Sequence, residues 1–286
     1  MSLELRSLRP EDSLWAAPLL AASGRDCCEY SFTTAYMWSE HYDVRIARVG
    51  EVLVLGSERS YLTPVGNGWE EVLRQLYDES PRPLRLHSVD EALLTRLKAL
   101  FPGRVHAEEA RDDFDYLYRT EDLANLPGKV YHGKKNHISA FSRAHEWTYE
   151  PLSAENVDDM VRLSREWCEE KGSCTGSLND EQCAIRRVLR EPERFSLSGG
   201  LIRVEGRAVA FTLGSPINER VFDIHVEKAL SAFSGAYAVI NREFAKTLTA
   251  YEYLNRENDM GIPGLRRAKE SYRPAILLKK YLVTIQ

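Results

Sequence analysis

Two stretches of the chain alternate apolar and polar positions on either side of a tight turn. Val44-Arg45-Ile46-Ala47-Arg48 and Val52-Leu53-Val54-Leu55 flank Gly50-Glu51, and the run from Leu201 to Val204 and that from Arg207 to Leu213 flank Glu205-Gly206. Period-two alternation broken by a polar turn predicts a hairpin in each place. Beyond each hairpin the elements come in a similar order. After the first come a strand (60–63), a Gly66-Asn67-Gly68 break, a helix (69–77), a strand (84–87) and a helix starting near Asp90. After the second come a strand (221–226), a helix opening at Gly235, a strand from Tyr251 and a helix from Pro263, a favoured first helical residue. A final strand, 276–283, closes the chain.

Between the halves, Pro127-Gly128 is a breaker signal. The expectation is two lobes, 1–128 and 129–286, each an α+β (mixed α/β) unit with a central mixed sheet flanked by helices. Residues 129–145 predict a helix crossing between the lobes, with Ile138 and Phe141 as its apolar stripe and Lys129, Lys134, Lys135 and Arg143 as its cations. Ser153 is the expected cap of a helix carrying Val157, Met160, Val161, Ser164 and Trp167 on one face. Another helix is predicted over 179–189, and the loop 171–176 between them is placed either to cover a cleft or to connect through solvent.

The chain has 286 residues, 43% hydrophobic and 28% charged, enough for two packed lobes. Its formal net charge of -5 gives no global field favouring nucleic acid or acidic membrane. No apolar run approaches the roughly 20 residues that span a bilayer, and the first residues lack an apolar signal core. These features predict a cytoplasmic protein with no integral membrane segment. Five cysteines without metal-ligand spacing predict reduced thiols and no metal site. No phosphate loop, dinucleotide fingerprint, zinc-protease helix or nucleophile elbow occurs.

Candidate chemistry concentrates where the strand at Tyr251 ends. Asn255, Arg256, Glu257, Asn258 and Asp259 are five consecutive polar residues at a strand exit, and ligands of open α/β sheets bind beyond strand ends. The next helix carries Arg266, Arg267 and Lys269, with Arg273 just after it. An acidic cluster facing a cationic helix suits an anionic ligand with a proton to move. Asp223 and His225 share one face of a strand expected to be central. Glu257, Asp259, Asp223 and His225 are therefore the candidate bases; Asn255, Arg256, Lys269, Arg266, Lys135 and Arg143 are the candidate substrate-binding groups. A satisfied core Asp–His pair, turn chemistry at Glu257 and Asp259, and solvated cations fit the same residues.

The run from Leu254 to Asp259 (LNREND), with Gly264-Leu265, Lys269, Tyr272 and Pro274, and the earlier Lys134-Lys135-Asn136-His137 with Phe141, resembles the soluble C-terminal domain of bacterial phosphatidylglycerol lysyltransferases. The repeated element order is similar to that of tandem acyl-CoA N-acyltransferase lobes and Fem-type aminoacyltransferases. The resemblance implies a helix N-terminus at Ser234-Gly235-Ala236 as the place for a coenzyme pyrophosphate. Ala232 and Tyr237 depart from that pattern, which counts against coenzyme A. Ala268 and Tyr272 keep the spacing of a tyrosine general acid, while Leu265 stands where an Asn is usual. The resemblance implies an aminoacyl- or acyltransferase. Its donor would be an aminoacyl-tRNA or a coenzyme A thioester, with aminoacyl-tRNA favoured. Its acceptor would be an amine or hydroxyl on a small molecule, peptide or lipid. An acyl-CoA-dependent N-acetyltransferase and a non-catalytic binding module are the alternatives.

Overall fold

The computed structural model describes residues 3–172 and 176–286. In chain order the first half holds β1 (Arg6–Ser7), α1 (Ser13–Ala22), α2 (Phe32–Tyr42), β2 (Arg45–Val49), β3 (Val52–Gly56) and α3 (Trp69–Glu79). It continues with β4 (Leu84–Val89), α4 (Glu91–Leu100), β5 (Val105–Glu109), β6 (Asp115–Arg119) and α5 (Thr120–Asn125). The second half holds α6 (His132–Ala144), β7 (Trp147–Pro151), α7 (Val157–Glu170), α8 (Ser177–Leu189), β8 (Ser198–Val204) and β9 (Arg207–Pro216). It ends with β10 (Val221–Ala229), α9 (Ala236–Thr247), β11 (Tyr253–Asn255), α10 (Pro263–Glu270), β12 (Ile276–Leu278) and β13 (Tyr281–Ile285).

Both predicted hairpins form, in register through Val49↔Val52 and Val204↔Arg207. The expected strand over 60–63 is reduced to bridges at Tyr61, antiparallel to Gly56 and parallel to Leu86. The expected final strand is two strands, broken at Lys279-Lys280, that join different sheets. Asn156, not Ser153, occupies the cap position of α7; its Oδ1 accepts the Ser153 N–H at 2.9 Å. Half of the loop expected over 171–176, residues 173–175, lies outside the described residues. Cys168 is disulfide-bonded, which corrects the expectation of reduced thiols; Cys27, Cys28 and Cys183 are free.

The sheets explain the break at Lys279-Lys280. The larger one runs β12-β6-β11-β10-β9-β8-β7, and the smaller ones are β1-β2-β3 and β4-β13-β5, bridged through Tyr61. Each repeat is therefore completed by the last strand of the other. β6, from before residue 128, pairs antiparallel between β11 and β12. β13, the end of the chain, pairs antiparallel between β4 and β5. The expected boundary at 128/129 is thus crossed by two exchanged strands.

The largest core is shared between the repeats. It joins Leu20, Phe32, Tyr36, Leu53 and Leu55 to Met160, Leu163, Ile185, Phe211, Val221 and Val226. The opposite faces of the sheets close separate cores, with α3 and α4 on one and α6 and α9 on another. Together these three cores lock the lobes into the mixed α/β arrangement that the element order predicts.

Candidate active site

The site is set by an irregularity in β10. Ile224 pairs with Gly214 and Val226 with Leu213, so His225 is an extra residue, a β-bulge. A bulge reverses the alternation beyond it. Val221 lies in the shared core, whereas Phe222 and Ile224 pack in the core around Phe244 of α9. Asp223 and His225 therefore share the face covered by α2. Glu227 is turned to the other face, where it accepts from Asn241 of α9 at 3.0 Å. The partner strand also stops here: β11 ends at Asn255, opposite Asp223, while β10 continues to Ala229.

On the α2 face, His225 Nδ1 lies 3.3 Å from Asp223 Oδ2 and 3.4 Å from Glu257 Oε1, and its Nε2 lies 2.8 Å from Ser215 Oγ. Thr34 of α2 donates to Asp223 Oδ2 at 3.3 Å, and Ser31 Oγ is 3.4 Å from Ser215 Oγ. Asp223 is fully buried, and its Oδ1 has no hydrogen-bond partner among the described residues. Burial disfavours the imidazolium, but the Asp223 carboxylate and the hydrogen bond to Glu257 push His225 up to about 9. Burial and the Asp223 charge push Glu257 up to about 7, partly offset by His225 and Lys269. The Glu257 side chain is 24% exposed, so this carboxyl opens outward while its partners do not.

Glu257 is held by its backbone. Asn255 is buried; its Nδ2 donates to Asp115 at 3.0 Å, and its Oδ1 accepts the Glu257 N–H at 2.7 Å, an Asx turn. Glu257 has φ +53, a left-handed conformation that costs a non-glycine residue energy and recurs at functional sites. The Glu257 carbonyl accepts from Tyr116 N at 3.3 Å and from Lys269 Nζ at 3.1 Å, and Lys269 also donates to the Arg256 carbonyl. Lys269, expected to bind substrate, thus pins the turn. Burial and the nearby Arg256 charge lower it to about 8.

Asp259 does not join this group. It is fully buried and accepts from Arg266 (two bonds of 2.8 Å), Tyr116 Oη (2.6 Å), Arg111 (3.1 Å) and Gly261 N (2.9 Å). These donors, led by Arg266, hold its carboxyl well below the usual range. A carboxylate so fully donated to is a clamp for the turn, and Arg266 serves that clamp together with Asp112. Tyr272 lies across the sheet, in the α9-side core. Its ring faces Arg256 at 4.8 Å and Lys134 at 3.7 Å, while Arg256 pairs with Glu227 at 2.9 Å. Burial keeps the Tyr272 phenol protonated far above neutrality.

The remaining expected residues sit apart from both clusters. Lys135 Nζ donates to the Gly128 carbonyl at 3.2 Å, and Arg143 is exposed in the last turn of α6. Gly235 caps α9 at φ +96, and a Cβ there would meet the His137 carbonyl of α6 at 2.6 Å, so close helix approach explains this glycine. The carboxylate of Glu170 accepts the Ser231 N–H at 3.0 Å, and the Ala236 N–H is given to Phe233 O. Ser234 lies in that turn.

Sequence reasoning missed the groups contributed from a distance: Cys28, Glu29, Ser31, Thr34, Asp115, Ser215 and Lys280. Lys280 is fully buried and pairs with Asp115 at 2.7 Å and Glu29 at 2.6 Å. A lysine pair interrupting the apolar run from Ile276 to Val283 was the one local sign of it. Cys28 Sγ and oxygens of Asp223 and Glu257 lie within 4.8 Å of one another, as do the donor atoms of Cys28, Glu29 and Asp115; these sets could hold a cation. Two surface clefts of about 420 Å³ lie elsewhere, one lined by mutually paired Arg203, Asp159, Arg207 and Glu166, the other near Tyr251.

Two α/β repeats that exchange their last strands, with a bulged central strand and a polar cluster where its partner strand stops, are the fold and candidate site of this chain. The chain belongs to the family of the C-terminal domain of phosphatidylglycerol lysyltransferases, whose profile matches residues 21–284. A crystallised conserved protein of unknown function from Bacteroides thetaiotaomicron is 34% identical, with all of both chains covered and a TM-score of 0.93. The C-terminal domain of a putative lysylphosphatidylglycerol synthetase from Agrobacterium fabrum shares the fold, with a TM-score of 0.69 at 15% identity, over 96% of this chain and 91% of that one. An uncharacterized protein of Mycoplasmoides gallisepticum is 23% identical over 177 residues, 60% of this chain and 56% of that protein's length. No helix among the described residues is long and apolar enough to cross a membrane.

Proposed function

We propose that this protein transfers an aminoacyl group from an activated ester, an aminoacyl-tRNA, to an amine or hydroxyl acceptor, with Glu257 as the general base. The observation that carries the reading is the Glu257 carboxyl itself. It is outward-facing, held in a strained turn, and poised at about 7 beside a protonated His225. A base with a pKa near the working pH is the most effective.

With an amine acceptor, Glu257 takes one proton from the ammonium. The free nitrogen attacks the ester carbonyl carbon, and as the tetrahedral intermediate collapses its second proton passes through solvent to restore the phenol that protonates the leaving oxygen. The C–O bond to the ribose breaks, and the ribose oxygen leaves with a proton. Tyr272, which lies across the sheet from Glu257 and which burial keeps protonated, is assigned as the donor for that oxygen. Because the ester is already reactive, orientation and deprotonation supply most of the barrier reduction.

Coenzyme A is supported less. Its pyrophosphate would need the N–H groups of the Ser231–Ala236 turn, where the Glu170 carboxylate already takes one and α6 packs against Gly235. The test is transfer from a mixed pool of labelled aminoacyl-tRNAs, compared with acetyl-CoA, for wild type and Glu257→Gln. The reading expects aminoacyl transfer that the substitution slows by about a hundredfold or more. Turnover of acetyl-CoA alone would replace it with acyl-CoA chemistry.

A further inference from the structure

Around Glu257 lies a set of acceptor atoms of which the transfer scheme uses only the Glu257 carboxyl. Cys28 Sγ, an Asp223 oxygen and a Glu257 oxygen lie within 4.8 Å of one another. Cys28 and Asp223 are buried, and Asp223 Oδ1 has no hydrogen-bond partner among the described residues. A buried oxygen left unpaired is costly, the more so when it carries charge, so the arrangement calls for a donor.

The surrounding charge points to the kind of donor. Four carboxylates (Glu29, Asp115, Asp223 and Glu257) face three cations, His225, Lys269 and Lys280. Asp223 and Glu257 share the single imidazole of His225. His225 cannot supply the donor at Asp223 Oδ1, because its Nδ1 is directed at Asp223 Oδ2 and Glu257 Oε1 and its Nε2 at Ser215. Lys280 is committed to Asp115 and Glu29. Burial pushes the Cys28 thiol up, so this sulfur remains a neutral, soft acceptor. Its S–H donates to Asp115 Oδ1 at 3.4 Å, and Lys280 Nζ reaches the sulfur only at 3.5 Å, which leaves a lone pair to accept.

We propose that Cys28 Sγ and the Asp223 and Glu257 carboxylates form a subsite for the ammonium group of a primary-amine acceptor. An –NH₃⁺ group has three donors and one charge, which matches three acceptors, two of them carboxylates that share one imidazole. The inference rests on the transfer reading and narrows it: the acceptor is an amine, not a hydroxyl. It also gives Glu257 the proton it removes, because the ammonium enters already hydrogen-bonded to the base. Cys28, adjacent to Cys27 and without any motif, becomes a substrate-binding group.

Calorimetric titration of the whole chain with ethylamine, L-alaninamide and putrescine, without any donor, tests this directly. Tetramethylammonium, which has no N–H, and zinc chloride serve as the other ligands. The primary amines are expected to bind and tetramethylammonium is not. Cys28→Ala and Asp223→Asn should each weaken amine binding about tenfold, the loss of one charge-assisted hydrogen bond. Cys28→Ala leaves the ion pairs intact, so it decides the matter even if Asp223→Asn misfolds. Equal amine affinity in wild type and Cys28→Ala, or no amine binding, overturns the subsite. Stoichiometric zinc binding that is lost in Cys28→Ala also overturns it, in favour of a metal centre. Aminoacyl transfer is assayed separately: unchanged amine affinity with transfer still dependent on Glu257 sinks the subsite alone, and absent transfer sinks the function.

Discussion

Lys280 Nζ lies 2.7 Å from Asp115 Oδ1, although 165 residues separate them in sequence. The contact sits where the two repeats exchange strands, since Asp115 opens β6 and Lys280 immediately precedes β13. Glu29 completes a buried triad, and Asn255, which sets the Glu257 turn, hangs from the same Asp115. The exchange and the site are thus joined through one ion pair.

Breaking that pair should be costly. Lys280→Met leaves the buried Asp115 and the half-buried Glu29 without their cation, which predicts a loss of about 3–5 kcal/mol. Urea unfolding measures it. Lys280→Met combined with Asp115→Asn should recover part of the loss, because one stranded charge is removed.

His225 gives a pH-dependent contribution of defined sign. Its folded pKa, about 9, lies above its ordinary value of about 6.5. The stabilisation is therefore fully present below about 6.5 and lost as pH rises through about 9. The difference in melting temperature between wild type and His225→Gln should be largest near neutrality and shrink by about pH 10. A constant difference would mean that the imidazole is neutral throughout.

Asp259 is predicted to matter for the turn and not for proton transfer. Asp259→Asn removes the charge on which Arg266 and Arg111 converge, at a cost of about 2–4 kcal/mol. Because its folded pKa is depressed, the wild-type contribution persists at every pH above the usual carboxylate range and fades only in strong acid. Thermal melts from neutral to acid pH check this. In the folded variant, the pH dependence of transfer should be that of wild type.

Tyr272→Phe separates catalysis from packing. The ring keeps its contacts with Arg256 and Lys134, so KM and melting temperature should change little. The rate of transfer should fall about a hundredfold if the phenol protonates the leaving oxygen. An unchanged rate would leave Tyr272 as a core residue only.

What could be read from the chain was what is local. The Arg45–Leu55 and Leu201–Leu213 alternations specify hairpins by themselves, and the pairing of Asp223 with His225 on one face needs only a strand's period of two. The turn from Asn255 to Asp259 stood out because five polar residues come straight after a strand. The bulge at His225 has no such signature, so the turning of Glu227 to the opposite face was hidden. Asp259 looked like a base because Arg111 and Tyr116 reach it from about 150 residues away. Thr34 and Cys28 come from the other repeat and Lys280 from the exchanged end of the chain, and no periodicity reports which strand a chain end will join. α1 was unmarked because SLWAAPLLAA is apolar nearly all round and contains Pro18.

The most direct test of Glu257 as the base is the pH dependence of single-turnover aminoacyl transfer, measured for wild type and Glu257→Gln. Deprotonated Glu257 is the active form, so the wild-type rate should rise with pH through about 7, and should fall again near 9 as His225 loses its proton. Glu257→Gln should be about a hundredfold slower or worse at neutral pH and lack the rising limb near 7. A variant that transfers at the wild-type rate with the same rising limb would contradict the assignment.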